Sequence, residues 1–350
     1  MTPERPILVA DIGGTNARFA LAHKGVVPGC EKIVITQLKI LSTREYDSLP
    51  SAVAAYLASV TGPRPEVAAI AVAGPVVEDR VKMTNCSWTF SRQALAAQLV
   101  MTQVLVLNDF EAIACALPYF GADDVLRIGP DIGADTGTDT GTDTGTDIGA
   151  DIEVGIGQER GNKIVIGPGT GIGVAALTPV GEGWKALTSE GGHVGFAPAD
   201  DLERQILRTV KYKYPRVSVE RVISGQGFST LHQALATLRG ETVEMLSPKE
   251  ITTRAIEDPG SNCGQVVDIF CGILGTFAGD MAVTFNATGG VYLAGGILPR
   301  IQEFFMGSRF RERFENKGRL AYVKDIATWQ IAQPQPALVG AAARIQGKFY

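Results

Sequence analysis

The sequence predicts an α/β protein of two lobes with a cleft between them. Short apolar runs that are typical of strands alternate along the chain with segments of helical pattern, as this class requires. Two strand-turn-strand units, each with a glycine-rich turn, occur far apart and indicate two related lobes. The length of 350 residues agrees, because single cores stop growing at roughly 250 to 300 residues.

The first third of the chain begins with a predicted β-hairpin. Apolar runs at 7–10 and 17–22 flank a glycine-rich turn. The elements predicted next are a strand at 67–73, a helix at 92–99 capped by Ser91, a strand at 104–107 and a helix at 110–117 that Pro118 ends.

A second strand-turn-strand unit is predicted at 163–177, with its turn near Gly169. The elements predicted after it are a long helix from Ser261 to about 287 that Gly289 and Gly290 end, a strand at 291–294 and a helix from 336 to 346. The stretch 263–287 is the most apolar, but it contains Asp268 and Asp280. We therefore expect a buried helix there rather than a membrane span.

An aspartate recurs at every fourth position from 131 to 151, separated by TGT or IGA. Such a repeat has too little apolar surface to offset the entropy of ordering the chain, so 130–161 is predicted to be a mobile acidic surface loop. A calcium-binding β-roll is the alternative. Such rolls use a period of about nine residues with paired glycines, which this repeat lacks.

The composition excludes several functional classes. A net charge of -5 gives no basic face for nucleic acid or an anionic membrane. Five widely spread cysteines without CxxC spacing indicate neither a disulfide framework nor a zinc site. With no export signal at the start, we expect a cytoplasmic protein.

The first glycine-rich turn carries the motif D-x-G-G-T-N-x-R between two strands. Glycines let backbone N–H groups approach phosphate oxygens, and threonine adds a hydroxyl donor. Asp11 is a candidate to hold Mg²⁺ through water. The alternative is a tight hairpin that merely needs glycine. The residues of the motif are Asp11, Gly13, Gly14, Thr15, Asn16 and Arg18.

The second turn, G-P-G-T-G-I-G at 167–173, is a weaker signal, because an ordinary glycine-rich β-turn has the same composition. It gains weight beside the first, since two such loops, one in each lobe, can hold a triphosphate. Its candidate phosphate-binding residues are Gly169, Thr170 and Gly171.

Asn108 and Asp109 follow a strand and precede a helix. Phosphoryl transfer to an alcohol needs a carboxylate that accepts the hydroxyl proton, and Asp109 fits that role. The alternative is a helix N-cap. Further along, Glu190 and His193 set a carboxylate and an imidazole three residues apart, a pattern that suits sugar hydroxyls. A metal pair or ordinary loop residues are the alternatives.

Together these motifs resemble the bacterial-type glucokinase family of the hexokinase, heat-shock-protein and actin superfamily. The matching blocks are D-I-G-G-T-N-A-R, M-T-N-C-S-W at 83–88, N-D-F-E-A at 108–112, G-P-G-T-G-I-G, E-G-G-H-V-G-F-A-P at 190–198, E-R-V-I-S-G at 220–225 and A-G-G-I-L-P-R at 294–300. The resemblance implies an actin-like ATPase (ribonuclease H-like) fold. It implies a small domain of 1–118 plus 334–350 and a large domain of 119–333 that carries the acidic loop.

The resemblance also implies the function: phosphorylation of D-glucose by ATP at the 6-hydroxyl, the first step of glycolysis, in a cytoplasmic homodimer with Mg²⁺. Gly295 and Gly296 would then lie near the nucleoside. The residues implied to contact the sugar are Asn108, Asp109, Glu190, His193 and Glu220, with Asp109 as general base. The chain lacks the cysteine-rich zinc element of ROK-type sugar kinases, so it resembles the zinc-free group.

Two other functions stay open at this stage. One is a kinase for another hexose, such as fructose or an N-acetylated amino sugar. The other is a non-catalytic actin-like protein, either a filament former or a sugar sensor, which the intact Asp109 and sugar motifs disfavour.

Overall fold

The structure is a computed structural model that describes residues 5–27, 30–74, 76, 79–83, 86, 88–130 and 160–350. The repeat at 131–151, for which a mobile loop was predicted, lies outside the described residues. So do Thr84, Asn85 and Ser87 of the M-T-N-C-S-W block.

The described residues form thirteen strands and ten α-helices. The strands are β1 (Ile7–Ile12), β2 (Asn16–Val27), β3 (Cys30–Ser42), β4 (Val67–Val72), β5 (Arg80–Lys82), β6 (Thr89–Ser91), β7 (Gln103–Asn108), β8 (Val125–Ile128), β9 (Lys163–Pro168), β10 (Ile172–Val180), β11 (Gly183–Ser189), β12 (Val291–Leu293) and β13 (Thr328–Ile331). The helices are α1 (Leu49–Ser59), α2 (Arg92–Leu99), α3 (Asp109–Ala116), α4 (Asp201–Lys211), α5 (Gly225–Arg239), α6 (Pro248–Glu257), α7 (Asn262–Thr284), α8 (Gln302–Met306), α9 (Phe310–Glu315) and α10 (Pro336–Gln346).

The predicted α/β class is confirmed, and the chain separates into two compact units. The first combines the described residues of Met1–Gly121, Ala175–Thr188 and Gln333–Tyr350. The second combines those of Ala122–Val174 and Ser189–Ala332.

The first unit contains a five-stranded sheet of order β3-β2-β1-β4-β7. Strands β1, β4 and β7 run parallel, while β2 and β3 add an antiparallel hairpin. The pairing register puts Ile12, Val72 and Asn108 in one row across the sheet. Because these residues end their strands, the side chains that follow them meet at one edge of the sheet.

Helix α10 packs on α3 in the first unit. Gly340 contacts the α3 backbone so closely that a Cβ there would clash with the carbonyl oxygen of Ala112 and lie 3.0 Å from Ala116 N. Most of the buried residues of α10 are alanines, among them Ala337 and Ala341. Their small side chains let the two helices approach closely. This contact fixes the helix that begins with Asp109.

In the second unit, β9, β12 and β13 are parallel neighbours in that order, and β8 pairs antiparallel with β13. Helix α7 forms the core beside this sheet. Ser261 caps it by accepting from Gly264 N–H at 3.2 Å, as the sequence predicts. Among the described helices, α7 alone is long and apolar enough to cross a membrane, yet 78% of its apolar window is buried inside the protein. The predicted buried helix is thus confirmed.

Candidate functional site

The turn between β1 and β2 carries the first glycine motif. Gly13 N–H donates to Asn16 O at 3.0 Å and closes the turn. Thr43 fixes it from the end of β3, because its N–H donates to Thr15 O and its hydroxyl to Gly14 O, both at 2.9 Å. Within the described part of the chain, the N–H groups of Gly14 and Thr15 meet no acceptor. They therefore suit an anionic ligand.

Asp11 and Arg18 face each other across β1 and β2. Arg18 Nη1 donates to Asp11 Oδ2 at 3.0 Å, and the Asp11 side chain is 22% exposed. Burial raises the pKa of Asp11, and the charge and hydrogen bond of Arg18 offset part of that rise. No described residue donates to Asp11 Oδ1. A partly exposed carboxylate with one free oxygen fits Mg²⁺, which takes one or two protein carboxylates and keeps several waters.

Asn108 ends β7 and caps α3. Its Oδ1 accepts from the N–H groups of Phe110 and Glu111 at 2.9 and 3.2 Å, and its amide donates to Gly74 O at 3.2 Å. The N-cap role considered for Asp109 thus belongs to Asn108, a correction to that alternative. Asp109 is the first helical residue, and its Oδ1 accepts from Phe110 N–H at 3.0 Å.

The pKa of Asp109 is raised to about 6. Burial is the largest cause, and the hydrogen bond from Phe110 N–H opposes it, while the negative charge of Asp11 raises the pKa further. Such a carboxylate is a stronger base than an exposed aspartate and is still mostly ionised at neutral pH. It can accept a hydroxyl proton.

In the second unit, the turn between β9 and β10 carries the second glycine motif. Gly169 N–H donates to Gly171 O at 2.7 Å, and Thr170 is exposed at the tip. Gly225, the first residue of α5, donates its N–H to Gly169 O at 2.7 Å. Gly295 has φ of +93° and contacts the backbone just before the turn, where a Cβ would clash. The segment after β12 therefore packs directly on this turn.

Glu190 and His193 border a short 3-10 turn. The Nε2 of His193 lies 4.0 Å from Oε2 of Glu190, and the two side chains are 59% and 73% exposed. Gly192 contacts Ile172, and a Cβ on Gly192 would clash with the carbonyl oxygen and Cγ2 of Ile172. Packing thus requires this glycine, and the exposed pair can meet a ligand. No group of three or more metal-ligating side chains occurs in the described ranges.

Glu220 contacts the second glycine turn. Its Oε2 accepts from Ile172 N–H at 3.0 Å, and a Cβ on Gly171 would clash with its carboxylate. The segment before Glu220 is bonded to the turn that holds His193, because Val219 N–H donates to Val194 O at 3.0 Å. The residues expected to contact sugar and those expected to contact phosphate are therefore neighbours.

The structure brings the predicted residues together in two sets, one in each unit. In the first unit, Asp11 and Asp109 share the sheet edge with the β1–β2 turn. In the second, Glu190, His193 and Glu220 surround the start of β10. Gly296 is exposed beside Gly295, with open space where a Cβ would lie, and it makes no packing contact that requires glycine.

Sequence reasoning missed two residues that hold these sets in place. Thr43 fixes the first glycine turn, and Ile172 receives contacts from both Glu220 and Gly192. Neither carries a chemical signature, since a threonine after a strand and an isoleucine in a strand are common. Only the tertiary contacts identify them.

The fold and these residues define a sugar kinase with the actin-like ATPase fold. The sequence profile of the glucokinase family matches residues 8–348. The chain belongs to the glucokinase family, as the motif blocks predict.

Known proteins agree with this family. Glucokinase from Saccharophagus degradans is 40% identical over 341 residues, which cover 97% of both chains. The crystal structure of a glucokinase from an Antarctic psychrotroph is 35% identical with a TM-score of 0.84, over 98% of this chain and 99% of that one. A ROK family glucokinase from Streptomyces griseus, solved in complex with glucose and AMPPNP, is 19% identical with a TM-score of 0.60, over 98% and 100% of the chains. That third likeness concerns the fold alone.

Proposed function

We propose that this protein transfers the γ-phosphoryl group of ATP to the 6-hydroxyl of D-glucose, giving glucose 6-phosphate and ADP. The observation that carries this function is Asp109, a half-buried carboxylate whose pKa is raised to about 6 and whose helix is capped by Asn108 instead. Family membership over residues 8–348 supports the same reaction.

Asp109 acts as the general base. It accepts the proton of the sugar 6-hydroxyl as that oxygen attacks the γ-phosphorus, and the bond from this phosphorus to the β,γ-bridging oxygen breaks. The freed electron pair stays on ADP. Because phosphoryl transfer needs little covalent help, positioning and charge neutralisation supply most of the rate.

The two glycine turns bind the phosphates. In the first turn the N–H groups of Gly14 and Thr15 point at phosphate oxygens, with Gly13, Asn16 and Arg18 as neighbours. In the second turn Gly169 is suited to close approach, because a Cβ there would meet nothing nearer than Gly171 O at 3.9 Å. Its lack of a side chain is therefore not explained by packing within the described residues. Gly295 and Gly296 contact the nucleoside.

Asp11 would hold Mg²⁺, through water, with its free Oδ1. When bound, the ion neutralises negative charge on the transferring phosphoryl group. Arg18 keeps the Asp11 carboxylate in place by its bond to Oδ2.

Glu190, His193 and Glu220 bind sugar hydroxyls, together with Asn108. Carboxylates accept hydrogen bonds from hydroxyl groups, while the imidazole either donates or accepts. A site that pairs each hydroxyl rejects sugars that lack one, since a buried polar group is then left unpaired.

The same function implies further properties that we propose with it. The enzyme works in the cytoplasm at the first step of glycolysis, as a homodimer. The four cysteines with described side chains are free, which suits a reducing compartment.

A substrate panel tests this function. The purified chain is assayed for ADP release with Mg-ATP and glucose, fructose, N-acetylglucosamine or N-acetylmannosamine. We expect kcat/KM to be highest for glucose by at least about tenfold. A higher value for another hexose would assign the enzyme to that sugar, and no turnover of any hexose by folded protein would refute the kinase function.

The Asp109→Ala variant tests the base. Turnover should fall by about two to four orders of magnitude while thermal unfolding stays cooperative. A near-normal rate would remove Asp109 from the base role.

A further inference from the structure

Three sequence motifs meet at one residue, Ile172, the first residue of β10. Its N–H donates to Glu220 Oε2 at 3.0 Å. Its carbonyl oxygen and Cγ2 contact Gly192, which separates Glu190 from His193. The turn of Gly169 and Gly171 directly precedes it in the chain, so a shift of Ile172 also moves that turn.

The segment that carries Glu220 is bonded to both neighbouring motifs. On one side, Phe196 N–H donates to Val217 O and Val219 N–H to Val194 O, each at 3.0 Å. On the other side, Gly225 N–H donates to Gly169 O at 2.7 Å. The segment 217–225 therefore joins the turn of Glu190 and His193 to the glycine turn.

Glu220 uses only one of its two carboxylate oxygens in these contacts. Oε2 holds Ile172 N–H, whereas Oε1 accepts no hydrogen bond from any residue that the structure describes. The side chain is only partly buried, so Oε1 can be reached by a ligand. A hydroxyl that donates to Oε1 would restrict the rotation of the carboxylate and hold Oε2 against Ile172.

Building on the proposed function, we propose that Glu220 is a positioning residue that couples the sugar site to the nucleotide turn. A sugar hydroxyl on Oε1 fixes the carboxylate, Oε2 then orders the start of β10, and the glycine turn before it is set for the triphosphate. Bound glucose thus raises the affinity for nucleotide. By linkage, bound nucleotide raises the affinity for glucose by the same factor.

The variant Glu220→Gln distinguishes two roles of Glu220: coupling between the sugar site and the nucleotide turn, and structural support of that turn. A glutamine side chain has the same shape but a single acceptor oxygen. With its oxygen on Ile172 N–H, the glutamine presents its NH2 group to the sugar, so the hydroxyl meets a neutral donor in place of the charged acceptor Oε1. The turn keeps its support without sugar, and the coupling is lost.

Isothermal titration calorimetry measures the effect. AMPPNP with Mg²⁺ is titrated into the full chain with and without saturating glucose, and glucose is titrated with and without AMPPNP. For the unchanged protein we expect both affinities to rise by the same factor, about 5- to 150-fold. For Glu220→Gln the factor should be about one.

Glu190→Gln is the matched control. It alters a carboxylate that the proposed function assigns to the sugar, but Glu190 has no hydrogen bond to the glycine turn among the described contacts. Its glucose affinity should fall while the coupling factor stays that of the unchanged protein. This separates weakened sugar binding from lost coupling.

Three results would overturn the coupling role. They are an unchanged factor in Glu220→Gln, a factor of about one in the unchanged protein that binds both ligands, or a factor that Glu190→Gln lowers equally. The proposed function survives all three, because turnover of glucose is measured separately. Absence of both glucose binding and turnover would instead refute the function.

Discussion

The negative charge of Asp11 raises the pKa of the Asp109 carboxyl group. Asp11 comes just before Ile12 and Asp109 just after Asn108, and Ile12 and Asn108 occupy one row of the sheet with Val72 between them. Two strand spacings of about 4.8 Å separate β1 from β7. Arg18 compensates the charge of Asp11, whereas no salt bridge to Asp109 occurs among the described residues.

The first prediction concerns the pH dependence of turnover. The base must be ionised, and the pKa of Asp109 is about 6, so kcat/KM should fall about tenfold per pH unit below that value. Above about pH 7 this group no longer limits the rate. Initial rates between about pH 5 and 8 at constant ionic strength check this. A profile that stays flat to about pH 4.5 would contradict the assignment.

The second prediction concerns the stability of Asp109→Asn. The folded protein binds the Asp109 proton more tightly than the unfolded chain does, so ionisation of Asp109 costs stability as pH rises from about 4 to 6. The amide carries no charge and still accepts from Phe110 N–H. At about pH 7.5 the variant should be more stable by up to about 3 kcal/mol, and the difference should shrink toward pH 4.5.

Urea unfolding of both proteins at several pH values measures this difference. Asp79→Asn is the control, because the pKa of Asp79 is lowered, chiefly by the hydrogen bond from Ser91. That variant should lose stability at neutral pH. If the Asp109→Asn protein is less stable than the unchanged one at about pH 7.5, then the buried charge of Asp109 does not destabilise the fold.

The third prediction compares two glycines of the E-G-G-H-V-G block. A Cβ in Gly192→Ala would clash with Ile172 and displace the turn of Glu190 and His193, so we expect KM for glucose to rise about tenfold or more. Gly195→Ala is the matched control, since a Cβ there meets nothing within 4 Å. Steady-state kinetics and thermal unfolding check both. Equal KM values in the two variants would show that the Gly192 contact does not position the pair.

The fourth prediction concerns the contact of α10 with α3. Alanine favours a helix over glycine by about 1 kcal/mol, but in Gly340→Ala the Cβ would clash with the Ala112 backbone. Overpacking costs about 1–3 kcal/mol, because the clashing atom belongs to the backbone and cannot rotate away. This cost exceeds the gain in helix propensity. The variant should unfold at lower urea and turn over more slowly, since α3 begins with Asp109.

Gly307→Ala is the control for this substitution. Its Cβ would meet only Glu303 O and Phe304 O, at 3.8 and 3.9 Å, in ordinary contact. Stability should stay within about 0.5 kcal/mol of the unchanged protein. If Gly340→Ala is as stable as Gly307→Ala, then the close approach of α10 to α3 does not require glycine at position 340.

Local chemistry explains what the sequence predicted well. Ser91 caps α2 and Ser261 caps α7 as expected, since a cap needs only the residues of its own turn. The hairpin of β1 and β2 and the strand β12 were expected within a few residues, except that β2 runs five residues further, to Val27. The glycine and carboxylate motifs could be recognised from the sequence because their residues are also close together in the chain.

Contacts between distant segments explain what the sequence did not predict. Strand β3 forms an edge of the sheet with polar and apolar residues mixed, so no clean alternation marks it. The bond from Ile172 to Glu220 joins residues 48 positions apart. The sequence did not decide whether Asn108 or Asp109 caps α3, because both residue types are common N-caps. The hydrogen bonds from Phe110 and Glu111 N–H to Asn108 identify Asn108 as the cap.

The return of α10 to the first unit sets an order for synthesis. Residues 333–350 leave the ribosome about 200 residues after α3, and until then Ala112 and Ala116 lack the helix that covers them. A nascent chain can complete the long second segment, Ser189–Ala332, before the first unit is whole. The helix that begins with Asp109 therefore gains its packing partner only after α10 has been synthesised.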